Sequence, residues 1–177
     1  MNTMSWLIHF FCYYLAWINC VLLAGKNMPY RSSFVVLLIL FFQILLQSII
    51  RRPWVDALVY GIALMVVGMI IDTMWLFLGL IDYNANPLNP YFSPPWIAFL
   101  WLSFGFNLIT LSQRLIVHTF LFGLLTFPSI ILAYWLGAKL GAAVLNSHWF
   151  YIMLGGVWSL IIPLSLNLFN HFRRDFT

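Results

Sequence analysis

The chain has 177 residues, 64% hydrophobic and 7% charged, with a mean hydropathy of +0.98 and a formal net charge of +4. So few charges cannot cover that much apolar side chain in water, which excludes a soluble domain and implies a polytopic membrane protein. The basic residues lie between or after apolar runs and form no stripe, which excludes a nucleic-acid-binding surface.

The first apolar run, Met4 to Ala24, has no basic leader and no A-x-A cleavage site, so it reads as a retained helix. It carries Cys12 and Cys20, which read as buried small hydrophobes rather than a disulfide or metal pair. His9, Tyr13, Ala16 and Cys20 share one helical face, as expected of a helix–helix seam held by polar groups. A turn over Gly25–Ser33 leads to the second run, Phe34–Ile50, where Gln43 and Gln47 lie one turn apart on one face. Arg51-Arg52-Pro53-Trp54 makes a basic turn, and the third run follows from Ala57 to Ile81.

Asp82 to Pro95 is the one substantial loop, rich in proline and asparagine. Asp82-x-Asn84-x-Asn86 opens like a calcium loop, but Pro87 replaces the required glycine and Ser93 the bidentate Glu, so it reads as a polar turn. The fourth run is Trp96–Leu111, and the fifth is Leu115 to about Trp135, with Pro128 predicting a kink. Gly137 and Gly141 have the small-xxx-small spacing that permits close packing. The sixth run, Trp149–Phe169, ends in a basic tail. The expected fold is an all-α transmembrane bundle of six spans, one helical domain over residues 1–177. Trp54, Trp96 and Trp149 open or flank runs and are expected at the membrane–water boundaries. With six spans, Arg51, Arg52, Arg114, Arg173 and Arg174 share a side with both termini, against Lys26, Arg31 and Lys139 opposite. Five against three predicts cytoplasmic termini.

The four acids are Asp56, Asp72, Asp82 and Asp175, and only Asp72 falls well inside an apolar run. A carboxylate at membrane depth is costly and marks an inward-facing, partnered position. Gly68, Asp72, Trp75 and Gly79 are spaced 4, 3 and 4 apart, on one helical face, around which the other helices are expected to pack. Asp72 lies nine residues in from Ile81 and Asn107 eleven in from Trp96, roughly 14 and 17 Å deep. Gln43, Thr126, Ser129 and Ser159 count to a similar level, so a polar layer at mid-membrane is predicted. Its candidate ligand-binding or buried polar residues are Asp72, Trp75, Asn107, Gln43 and Ser159. No Lys or Arg lies at that level, so a neutral Asp72 donating one hydrogen bond, with Asn107 as partner, is expected.

Gly68-x-x-x-Asp72-x-x-Trp75-x-x-x-Gly79, the loop ending Pro95-Trp96-Ile-Ala-x-x-Trp101-x-x-Phe104, and Pro128 with Tyr134-x-x-Gly137-x-x-x-Gly141-Ala142 resemble the bacterial integral membrane proteins catalogued as domain of unknown function 2878. The resemblance covers most of the chain. The sequence departs from it after Phe104, where Asn107-Leu-Ile-Thr110-Leu-Ser112-Gln113 stands in place of an Asn-His-Ser type cluster. Relatives tend to be encoded near lipid-modifying enzymes resembling cyclopropane-fatty-acid synthases, so the resemblance implies a role in membrane-lipid metabolism or stress and residence in a bacterial inner membrane.

No nucleophile elbow, phosphate loop or metal-ligand spacing is present, so no catalytic residue, metal or cofactor is expected, and the enzyme reading is disfavoured. His9, His118, His148 and His171 lie in different runs or ends and read as packing or interfacial groups. Three functions are carried forward. The first is a protein that binds membrane lipid or assists its modification, and a pocket open sideways to the membrane would favour it. The second is a small proton- or ion-coupled transporter using Asp72. The third is a structural subunit whose partner is another membrane protein or further copies in a homo-oligomer.

Overall fold

The computed structural model describes residues 3–50, 54–112 and 118–175. Among these are six helices and one two-stranded ribbon: α1 (Thr3–Gly25), α2 (Pro29–Ile49), α3 (Trp54–Phe77), β1 (Ile81–Tyr83), α4 (Pro95–Ser112), α5 (Thr119–Lys139), β2 (Ala143–Leu145) and α6 (His148–Asp175). All six helices are long and apolar enough to cross a bilayer, and the protein is a transmembrane helical bundle. The basic turn at 51–53 and the segment 113–117, with Gln113 and Arg114, lie outside the described residues.

The third run does not stay helical to Ile81. Helix α3 stops at Phe77, Gly79 takes a left-handed φ of +64° that its missing Cβ permits, and the chain then extends into β1. Strand β1 pairs antiparallel with β2, Ile81 opposite Leu145 and Tyr83 opposite Ala143. Asparagines close the ribbon's ends: Asn146 Nδ2 donates to the Gly79 carbonyl and to Asp82, and Asn84 Nδ2 donates to the Gly141 carbonyl. The ribbon therefore lies over one end of the bundle, called the outer end below.

The axis of the bundle is α4, not α3. In the spanning window of α4, 61% of the residues are buried, against 17–33% in the other five helices. Helix α4 packs against α1, α2 and α3, while α5 and α6 pair with each other. Glycines set the α3–α4 distance: a Cβ on Gly61 would lie 2.7 Å from the Leu102 carbonyl oxygen, and one on Gly105 2.8 Å from the Gly61 Cα. Gly141, with φ +78°, ends the α5 turn and rests against Gly25 of α1, so this glycine serves an inter-element contact. Helix α5 continues through Pro128, with Thr126 and Ser129 donating to Phe122 and Leu125 carbonyls one turn back.

Trp54 and Trp149 open α3 and α6, and Trp149 is exposed. Trp96 stands at the start of α4, but its surroundings are protein. It is buried under the 84–94 loop and donates Nε1–H to the Ala85 carbonyl at 3.2 Å. The loop's other end is pinned by Ser93, whose amide donates to Thr73 Oγ1 at 3.0 Å.

Candidate functional site

Asp72 is fully buried, and three side chains from three other elements donate to it. Tyr83 of β1 and Tyr134 of α5 both donate to Oδ1, at 2.7 and 2.6 Å. Trp101 of α4 donates its indole N–H to Oδ2 at 2.7 Å. The local sequence explains how the indole arrives. Gly68 sits one turn before Asp72 on α3, and Trp101 lies against it so closely that any Cβ there would overlap the indole ring.

An aromatic wall surrounds the carboxylate. Trp75, one turn beyond Asp72, meets Tyr134, Phe150 and Trp158 edge to face, with ring centroids 6.4, 5.1 and 6.3 Å apart. Trp158 of α6 stacks on Trp101 at 3.9 Å. Outside the helices, burial and the adjacent Asp72 carboxylate hold the Tyr83 phenol well above its ordinary pKa, so it remains a donor. An indole can only donate, so Oδ2 must accept. The site can therefore hold one negative charge on neutral donors alone.

The expected Asp72–Asn107 bond does not form. Asp72 lies five residues before the end of α3, about 7.5 Å of rise below it, because the helix stops at Phe77. Asn107 lies twelve residues into α4, about 18 Å from that helix's outer end. The two groups also point apart. Trp101 and Asn107 are six residues apart on α4, so at about 100° per residue they fall on different faces. The side facing α3 carries Trp101, and the side facing α1 and α2 carries Asn107.

A single mid-membrane layer is thus replaced by two polar clusters. In the second, Gln43 and Asn107 form a reciprocal amide pair: Gln43 Nε2 donates to Asn107 Oδ1 at 2.8 Å, and Asn107 Nδ2 to Gln43 Oε1 at 3.2 Å. Gln43 Nε2 also faces the His9 carbonyl at 3.1 Å and His9 Nδ1 at 3.2 Å, joining α1. One turn further from the ribbon, Gln47 donates to Thr110 Oγ1 at 2.9 Å. Ser159 belongs to neither cluster: it donates to the Gly156 carbonyl at 2.9 Å, and its own carbonyl lies where α5 approaches at Gly123. Of the residues named from the sequence, Asp72 and Trp75 meet in the first cluster, and Gln43 and Asn107 in the second.

Sequence reasoning missed the three donors to Asp72. Trp101 and Tyr134 carried the resemblance to a family but no role, and Tyr83, next to Asp82 in the sequence, was not singled out. The available signal was donor chemistry, since a buried acid without cations needs neutral N–H or O–H groups from its neighbours. Among the described residues no group of three His, Cys, Asp or Glu side chains is placed to hold a metal. No curated protein and no solved structure matches the chain. Residues 6–164 match the family described as "Protein of unknown function (DUF2878)", and the chain belongs to that family.

Proposed function

We propose that the protein binds membrane lipid, taking an acyl chain into a groove between α1 and α2, and so acts as a lipid-handling accessory within a bacterial inner membrane. One observation carries this reading. A cleft of about 450 Å³, open along one side, is lined by apolar side chains, among them Leu15 of α1 and Leu38, Phe41, Phe42 and Leu45 of α2, together with Cys12. That volume lies within the usual range of small-molecule sites, roughly 300–1,000 Å³. Cys12 is nine residues into α1 and Leu38 nine into α2, so both lie about 14 Å from a helix end, at hydrocarbon depth. Helices crossing a bilayer leave such a cleft facing acyl chains rather than water. The burial of Asp72 favours this reading over a transporter: its exposure is 0% and three donors already occupy its oxygens.

Native mass spectrometry from a mild detergent tests it. The wild type is expected to retain phospholipid, and Leu38→Trp with Leu45→Trp, which fills the cleft, to lose most of that adduct. Equal retention in both proteins would overturn the reading. For orientation, the proposal places both termini in the cytoplasm, supported by the five-to-three distribution of Lys and Arg. Reporter fusions at Gly141 and at the C-terminus should then report opposite sides.

A further inference from the structure

Toward the ribbon's side of the membrane, the apolar cleft between α1 and α2 leads to two cations. On α1 the lining residues Cys12 and Leu15 are followed on the same face by Leu22 and Lys26, spaced 3, 7 and 4 apart. On α2 the lining residues Leu38 and Leu45 are preceded by Arg31 and Phe34, spaced 3, 4 and 7 apart in chain order. At about 100° per residue each set returns to one helical face. Lys26 still belongs to the last turn of α1, since its amide donates to the Leu22 carbonyl at 3.2 Å. Leu22 and Phe34 are exposed, so the track between the cleft and the cations is apolar and faces the bilayer. Each helix of the cleft thus brings one exposed cation to its outer mouth.

Residues 1–55 contain no Asp or Glu, and the exposed acid of the outer end, Asp82, is held by Asn146 at 2.9 Å. Arg31 directs one N–H at the Met28 sulfur, a weak acceptor 3.8 Å away, and among the described residues neither cation makes an ion pair. The opposite end of α1 offers no counterpart, since Thr3 to Phe11 contains no Lys or Arg. A phosphate at the outer mouth would meet both cations, whereas a headgroup ammonium would meet no carboxylate on either helix. Length agrees with charge. From Arg31 to Leu45 is 14 residues, about 21 Å of rise. One leaflet with its headgroups, half of a bilayer of roughly 40–45 Å, has about the same depth. A phospholipid anchored by its phosphate at Arg31 therefore has the length to lay an acyl chain along the cleft to its far end.

We infer that the occupant of the cleft is an anionic phospholipid from the leaflet on the ribbon's side, its phosphate held by Lys26 and Arg31 and its acyl chain laid past Leu22 and Phe34 into the cleft. This rests on the lipid-binding reading above and adds the headgroup charge and the leaflet. The test is native mass spectrometry of protein reconstituted with equimolar phosphatidylglycerol and phosphatidylethanolamine, then released into a mild detergent. The wild type should retain phosphatidylglycerol in preference, by about fivefold for each cation engaged. Lys26→Gln with Arg31→Gln should still retain phospholipid but show no preference. Should that double variant not fold, each single variant serves, with the preference lowered about fivefold. Arg51→Gln with Arg52→Gln, which follow α2 in the sequence, should keep the wild-type preference. Leu38→Trp with Leu45→Trp should lose both lipids. Equal retention of the two lipids by the wild type, a preference that survives the Lys26 and Arg31 substitutions, or one abolished by the Arg51 and Arg52 substitutions would overturn this inference and leave lipid binding in place. So would phosphatidylglycerol alone surviving the filled cleft. Retention of both lipids undiminished in the filled cleft would instead overturn the reading on which the inference rests.

Discussion

The two polar clusters on opposite sides of α4 solve the same problem differently. The Gln43–Asn107 pair is reciprocal, since each amide gives and takes one hydrogen bond, and it carries no charge. The Asp72 junction is one-directional: three donors converge on one acceptor group, and its two phenols lie within hydrogen-bond reach of each other. A reciprocal pair fixes helix register and can be removed as a unit. A convergent junction cannot, because deleting its centre takes the shared acceptor from all three donors, and the two phenols can satisfy only one of each other's hydrogens. Buried polar groups left unpaired cost about 1–3 kcal/mol each.

The largest test of that contrast is Asp72→Leu, which leaves Tyr83, Tyr134 and Trp101 without their acceptor. A loss of several kcal/mol is expected, about 1–3 kcal/mol for each stranded donor. It would show as aggregation in detergent or a sharply lowered midpoint of thermal unfolding, while Asp72→Asn, which keeps one carbonyl acceptor, should lose much less. Equal behaviour of the two variants would mean that the junction is not convergent in the sense drawn above.

Next in size is Gly68→Leu. Any Cβ at this position overlaps the Trp101 ring, so the indole must move and Oδ2 loses its donor. Overpacking of this kind costs about 1–3 kcal/mol, and loss of the charge-assisted bond adds to it. Trp101 fluorescence should shift, and an unchanged spectrum and midpoint would show that the indole is not held by Gly68.

In the second cluster, Gln43→Leu alone should cost about 1–3 kcal/mol by leaving the Asn107 amide without its partner. Adding Asn107→Leu should recover part of that loss, because both halves of the pair are then apolar. A double-mutant cycle on unfolding midpoints checks it, and simple additivity would refute the reciprocal reading.

The smallest effect concerns alkaline pH. The Tyr83 phenol is held well above its ordinary value by burial and by Asp72, so the folded protein keeps a proton that the unfolded chain releases near about pH 10. The folded state then binds more protons, and its stability falls as pH rises. The contribution is fully present below about pH 10 and is lost above it. Replacing Tyr83 with Phe should make the alkaline decline of the unfolding midpoint shallower.

The amino-acid sequence by itself determined that this is a membrane bundle, how many spans it has, and that Asp72 needed partners inside it. Length and hydropathy suffice for the first two, because a helix of apolar residues satisfies its own backbone wherever it lies. The cost of a buried carboxylate suffices for the third. Which partners Asp72 found was a matter of tertiary structure. Depth counted from Ile81 put it level with Asn107, but the chain leaves the helix at Phe77, where Gly79 turns it into β1. Strands of three residues carry no readable period, and their pairing joins loops about sixty residues apart in sequence. Nor does a face of α4 announce which neighbour it will meet. Gly68 decides that by leaving room for Trp101, and such a vacancy acquires meaning only when another helix is packed against it.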